Sequence, residues 1–212
     1  MKYKTYLGQD IGTVNFGSTL LKFYPKENKV KIKWFLLDKE YLIKPKKDLN
    51  EISNMFYLYF NKIISKYKVK NLILERYQAR VRSGNIEPAN IMIGIEYACC
   101  YNNNIQIAGY TASTWKNYCK KQKVNLELLY KVSKEVSKSI NQFRKKYKVK
   151  DKFPNIEPHH IDSLFMVLYH IEKENKKISI YNIYLDLLNY FYAIIDNKKY
   201  KTKFIKKLTI LS

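Results

Sequence analysis

Residues 4–17 read KTYLGQDIGTVNFG, and this stretch decides the fold. Thr5 to Gln9 mixes apolar with small residues, as a buried central strand does. The strand ends in a carboxylate, Asp10, and Gly12 turns the chain straight after it. A second strand follows over Phe16–Tyr24, then a turn at Pro25-Lys26-Glu27-Asn28. In a third, Lys29–Leu37, Val30, Ile32 and Trp34 alternate with Lys29, Lys31 and Lys33. That period of two marks a half-exposed strand. Two hairpins in succession make an antiparallel meander.

Outward from the meander, a loop at Lys44–Asp48 leads to an amphipathic helix over Asn50–Tyr67. Val69–Glu75 holds the short buried run Leu72-Ile73-Leu74, ending in a second carboxylate, Glu75. A polar loop over Arg80–Pro88 gives way to a helix reaching about Asn102, with Pro88 in its first turn. Ile105–Gly109 is another short strand, and Thr111 or Ser113 can cap a helix through Lys120. A long charged helix over Asn125–Lys148, a two-proline loop and a helix over His159–Asn175 follow. An apolar helix at about Tyr181–Ile195 and a basic tail complete the chain. The order predicts an α/β fold with a mixed five-stranded sheet, three antiparallel strands then parallel βαβ units, flanked by helices. There is no internal repeat and no low-complexity linker. One domain is expected over residues 1–175, with 176–212 as a helical and basic extension of it.

The formal net charge of +22 points to a polyanionic partner. An AT-rich coding composition, heavy in Lys, Asn, Ile and Tyr, is a plainer source for part of the lysine. The arginines are more telling: of four, Arg76, Arg80 and Arg82 fall within seven residues just after Glu75. The three cysteines, Cys99, Cys100 and Cys119, show no Cys-x-x-Cys spacing, so neither structural zinc nor a disulfide is expected. No apolar run approaches the roughly 20 residues that span a bilayer, and no signal pattern opens the chain. The expectation is an intracellular protein without a membrane, in the cytoplasm or a viral or organellar DNA compartment.

The chemistry lies in the acids. Asp10 and Glu75 each end an apolar strand, and Asp162 lies in the first turn of the helix that begins near His159. A carboxylate beside a buried strand end is costly unless it is paired or binds metal. Three together would make an acidic pocket in a basic protein. Such a pocket suits a hard divalent cation, with Mg²⁺ the default beside phosphate and Mn²⁺ a substitute. Two ions about 4 Å apart activate a water and stabilise the leaving oxygen in phosphodiester cleavage. Taken singly, Asp10 can shape a turn and Asp162 can be a helix N-terminal acid. His159 lies three residues before Asp162, on the same helix face, as a metal ligand or a base for the attacking water. His160 points about 100° away.

DIGTVNFG at 10–17, LILERYQAR at 72–80 and HHIDSLFMVLYHI at 159–171 resemble the three active-site motifs of RuvC-like Holliday junction resolvases, in the RNase H superfamily. The first two are most similar to its poxviral and fungal mitochondrial branch. GYTASTWKNYCKK at 109–121 resembles the family's segment after the next strand, and the likeness spans about residues 3–172. It implies an RNase H-like sheet, and Asp10, Glu75, Asp162 and His159 as catalytic metal ligands. It further implies a homodimer that cuts two strands of a four-way DNA junction symmetrically. The departures are Gln9 at a site usually apolar, Tyr77 interrupting the Glu-Arg-Gln triplet before Gln78, and a C-terminal extension without counterpart.

Nucleic-acid contacts are expected from Arg76, Gln78, Arg80 and Arg82 beside the metal site, where guanidinium groups grip phosphates. Lys116 and Lys120, at i and i+4, are either phosphate contacts or a solvated helix face. The helix Pro88–Asn102 has apolar residues on more than one face, suited to a dimer contact or to burial in a monomer. Three other functions compete. One is another RNase H-fold nuclease, acting on hybrids, flaps or in transposition. Another is a non-catalytic nucleic-acid-binding protein. The third is an actin-like or sugar-kinase ATPase, since Asp-Ile-Gly-Thr also opens that fold. The ATPase requires a second Gly-rich loop, which six glycines in this chain do not build.

Overall fold

Strand β1 (Lys4–Ile11) is the middle of the sheet, buried along all but its first residue. It pairs antiparallel with β2 (Phe16–Tyr24) and parallel with β4 (Asn71–Glu75). Outside these lie β3 (Lys29–Leu36), antiparallel to β2, and β5 (Gln106–Tyr110), parallel to β4. The computed structural model describes residues 3–11, 16–36, 48–76, 86–147, 156–175, 178–196 and 208–211. The five expected strands thus form the expected mixed sheet. A sixth, β6 (Leu208–Leu211), joins antiparallel to β3 in the tail, giving the order β5-β4-β1-β2-β3-β6. Four residues are too few for a period-2 pattern to announce, and the pairing comes from the free edge of β3.

Six helices are described: α1 (Leu49–Tyr67), α2 (Ile86–Asn102), α3 (Ala112–Lys121), α4 (Leu126–Tyr147), α5 (Pro158–Asn175) and α6 (Ile180–Ile195). Four of their starts follow side-chain capping, that of α4 by Asn125, which accepts from the Leu128 N–H at 3.0 Å. Asp48 accepts from the Asn50 N–H at 3.4 Å, Thr111 from Thr114 at 3.4 Å and Ser179 from Asn182 at 3.2 Å. α1 ends on Lys68 in the left-handed region, with φ 50°.

The strand alternation sorts side chains into two cores. Tyr6, Leu21, Phe23, Val30, Ile32 and Ile73 point to the face covered by α3 to α6. Ile183, Leu187 and Phe191 of α6 belong to this same core, so the 180–195 segment is built into the main layer. Leu7, Leu20, Leu72 and Leu74 point the other way, to Phe60, Ile63 and Ile64 of α1 and to Cys99 and Cys100 of α2. All three cysteines are free and buried, as small hydrophobes. Gln9 lies on this second face, and its amide oxygen accepts from Ser18 directly opposite at 2.5 Å, which satisfies that oxygen at an apolar site.

Helix α5, buried from His160 through Ile171, packs across β1, β2 and β4. Two glycines let its start come this close. A Cβ on Gly8 would lie 2.4 Å from the Ser163 carbonyl oxygen, and one on Gly17 would lie 2.2 Å from that of His159. Such overpacking costs about 1–3 kcal/mol. Thr19 fastens the approach, hydrogen-bonded to the Ser163 hydroxyl at 2.7 Å and donating to the His160 carbonyl at 3.2 Å. The close approach of α5 to β2 sets where His159 and Asp162 stand.

Candidate active site

Asp10 and Glu75 close two neighbouring parallel strands. The register Gly8–Ile73 and Gln9–Leu74 brings their ends level, on the face that α5 covers. The start of α5 places His159 and Asp162 over the same ends. His159 Nδ1 lies 2.6 Å from Asp10 Oδ2. The four residues singled out in the sequence are therefore collected from β1, β4 and α5. His160 turns away and is buried, its Nδ1 accepting from the Glu157 N–H at 3.0 Å.

Helices α3 and α4 add three groups. The indole N–H of Trp115 donates to Glu75 Oε2 at 3.2 Å. The Lys116 ammonium is 2.8 Å from Asp162 Oδ2. The Tyr130 hydroxyl donates to the other oxygen, Asp162 Oδ1. Lys116 is thus inside the acidic cluster and ion-paired there. Lys120, one turn later, is exposed and has no part in it. Arg76 is exposed beside Glu75, its backbone N–H bound to the Tyr110 carbonyl at 2.8 Å. Tyr77, Gln78, Arg80 and Arg82 lie outside the described residues.

The charges act on one another. Burial pushes the Glu75 carboxyl up, and repulsion from Asp10 adds to this. The Trp115 hydrogen bond and Lys116 pull it down only in part, so it stands at about 7. Burial also raises Asp162, against the opposing pull of Lys116 and Tyr130. Burial alone would lower the Lys116 ammonium. Attraction to Asp162, and then to Glu75 and Asp10, outweighs this and raises it. The Asp10 hydrogen bond raises His159 above the ordinary histidine range.

Among the described residues, no three His, Cys, Asp or Glu side chains already stand as a metal-ligand group. Each carboxylate is turned to a protein donor instead. The donor set nonetheless suits a hard cation. Asp10 and Asp162 are bonded to His159 and Lys116, whereas Glu75 is bonded only to a neutral indole N–H, and burial with repulsion from Asp10 outweighs the pull of Lys116 and leaves it at about 7. A divalent cation bound by oxygen ligands would offset the repulsion among these carboxylates.

Trp115, Tyr130 and the pairing of Lys116 with Asp162 are what sequence reasoning missed. Trp115 and Lys116 stand inside the quoted GYTASTWKNYCKK segment, but nothing in an indole's residue type says where its N–H points. Tyr130 is one of 20 tyrosines.

The sequence matches no protein-family model and no curated protein sequence. Solved structures are similar in fold. A Thermus thermophilus RuvC in complex with Holliday junction substrate superposes with a TM-score of 0.55 at 12% identity, over 81% of this chain and 96% of that one. A second T. thermophilus RuvC structure gives 0.53 at 11%, over 81% and 97%. The yeast mitochondrial Holliday junction resolvase Ydc2 gives 0.49 at 16%, over 92% and 84%. With its central antiparallel meander, its parallel βαβ continuation and α5 laid across both, the chain has the RNase H-like fold of RuvC.

Proposed function

We propose that this protein is a metal-dependent DNA endonuclease that resolves four-way junctions by paired, symmetric phosphodiester hydrolysis. One observation carries the reading: Asp10, Glu75 and Asp162, from three separate elements, lie within electrostatic reach of one ammonium, Lys116, which is ion-paired with Asp162, in a protein of net charge +22. Asp10, Glu75 and Asp162 would hold two Mg²⁺ ions, with Mn²⁺ a substitute and His159 a further ligand or a base. When bound, the metal supplies charge neutralisation at the phosphate and a nucleophilic water near neutral pH.

The chain's own groups do the rest. Trp115 and Tyr130 each hold one oxygen of Glu75 and Asp162, and would orient these carboxylates toward a bound metal. Lys116 sits where an incoming phosphate would compete for its ammonium, and on transfer it would neutralise charge building on the non-bridging oxygens. His159, held at Asp10, is placed to take a proton from the attacking water once it is neutral. Arg76, with Gln78, Arg80, Arg82 and Lys120, would grip the flanking backbone.

A symmetric double cut needs two such sites, hence a homodimer. The exposed stripe of α2 suits that contact: Asn90, Gly94, Tyr97, Ala98 and Tyr101 recur at helical spacing, with Tyr101 85% exposed. Tyr57 and Leu58 of the adjoining α1 are exposed as well. Gly94 and Ala98, flanked by the two tyrosines, allow close helix approach with large buried rings.

The test is a substrate panel with Mg²⁺: a synthetic four-way junction, a flap, an RNA–DNA hybrid and a linear duplex. Preferential paired nicking of the junction supports the proposal. Equal cutting of linear duplex removes junction selectivity, and preference for the hybrid moves the protein to another RNase H-type activity. Tyr97→Glu with Tyr101→Glu should yield monomers in sedimentation and uncouple the two nicks.

A further inference from the structure

Among the described residues, the sheet face opposite the carboxylates is packed against helices over part of its width and carries half-buried lysines over the rest. Helices α1 and α2 lie over β5, β4, β1 and the Leu20 end of β2, meeting Leu7, Leu20, Leu72 and Leu74. On β2 and β3 the same face carries lysines and tyrosines. Lys22 stands directly opposite Lys31, and Tyr24 opposite Lys29, with Lys33 next along β3. Like charges facing each other across an antiparallel pair are destabilising. Among the described residues neither Lys22 nor Lys31 has an ion-pair partner, while Lys29 reaches Glu27 at 3.5 Å.

These ammoniums are held in place by rings. Lys22 Nζ lies 4.6 Å from the centre of Tyr3, and Lys31 Nζ 5.1 Å from that of Tyr24. The two rings adjoin at 5.4 Å. At the border with α1, Lys33 donates to the Tyr67 hydroxyl at 2.6 Å, and Lys66 lies 5.7 Å from the centre of the same ring. A cation–π contact fixes a lysine without neutralising it. The result is a pre-ordered row of positive charge whose mutual repulsion an anion would relieve.

We propose that this β2–β3 face is a second nucleic-acid contact, binding the sugar-phosphate backbone of duplex DNA. The ligand is a backbone rather than stacked bases, because one face of Tyr3 and one of Tyr24 already hold an ammonium and the two rings pack on each other. It is DNA on the strength of the function proposed above, and the contact is sequence-independent. The surface lies on the side of the sheet away from Asp10, so it engages a different duplex segment from the one being cut.

The experiment compares wild type with Lys22→Gln/Lys31→Gln on a 30-base-pair duplex, about three helical turns, in EDTA and across a salt series. Loss of two phosphate contacts should reduce the log–log salt slope by about 2 and weaken binding roughly tenfold or more at 0.1 M salt. The melting temperature should stay level or rise, since a like-charge pair is gone. Lys22→Arg/Lys31→Arg should bind as wild type. An unchanged salt slope overturns the proposal. So does a binding loss that the arginine pair fails to restore. Loss of binding to phosphatidylserine vesicles with duplex binding intact would overturn it in favour of a membrane surface. Because cleavage is absent in EDTA, the two readings fail separately. A wild type that cuts no junction yet shows the slope change loses the nuclease activity and keeps this surface.

Discussion

The two faces of the sheet treat buried charge in opposite ways. On the α5 face every carboxylate of the cluster has a donor: His159 for Asp10, Trp115 for Glu75, Lys116 and Tyr130 for Asp162. On the α1–α2 face Glu96 is fully buried and, among the described residues, neither of its oxygens has a hydrogen-bond partner. Burial pushes both Glu75 and Glu96 up. A raised acid is therefore not the mark of a site in this molecule. The mark is convergence: Glu75 is raised also by other carboxylates and is held by an oriented N–H, whereas burial alone acts on Glu96.

The contrast is broken most severely by replacing each glutamate in turn. Glu75→Gln should lower junction cleavage by about a thousandfold or more, the several kcal/mol that metal-borne charge stabilisation supplies. It should leave folding intact, since the amide oxygen still accepts from Trp115. Glu96→Gln should leave cleavage within about twofold. Comparable losses in both, measured as single-turnover rates, would erase the distinction.

A smaller effect sharpens the role of the donors. Trp115→Phe and Tyr130→Phe remove one hydrogen bond each and keep an aromatic ring. Each should weaken Mn²⁺ binding by about 10–100-fold, the usual range for groups that orient metal ligands. Titration calorimetry on metal-free protein reads this without any cleavage. Unchanged affinity in both would mean that the two bonds only support packing.

The smallest effect is in stability against pH. Burial raises the Glu96 carboxyl well above its ordinary 4.5, so the folded state holds this proton more tightly than the unfolded chain does. Folding therefore loses stability as pH rises from there toward the folded value, and Glu75 adds the same sign between its ordinary 4.5 and about 7. His159, raised in the folded state, stabilises below about 6.5, and this too is lost as pH rises through its folded value. Metal-free protein should melt at lower temperature at pH 8 than at pH 5, by about 2–4 °C for each kcal/mol involved. Glu96→Gln should flatten that fall in a thermal scan. A profile as steep as wild type would show that the Glu96 proton is not retained on folding.

Much of this is legible in the chain. Alternation in β3 and the apolar runs of β1 and β4 mark the sheet, because burial on one face or two leaves a period that residue types record. The convergence of Asp10, Glu75 and Asp162 is legible as strand ends and a helix start, since topology alone brings such positions together. The preference for His159 over His160 follows from helical geometry, and the structure turns the two rings accordingly. What lies beyond the sequence is what depends on orientation or on an edge. The direction of the Trp115 N–H, the choice of Tyr130 and the pairing of Lys116 with Asp162 are set by how α3 and α4 dock. The four-residue β6 exists because β3 offers it an edge. The alternating lysines of β3 predict an exposed face, but only the register shows Lys31 against Lys22.

The central claim is that the acids at the ends of β1 and β4 and at the start of α5 cut DNA junctions. The most direct measurement is a side-by-side assay of wild type and Asp10→Asn on a labelled four-way junction, with binding in Ca²⁺ and cleavage in Mg²⁺. The account predicts equal binding, with paired nicks from wild type and none from the variant. Cleavage by Asp10→Asn at the wild-type rate would contradict it.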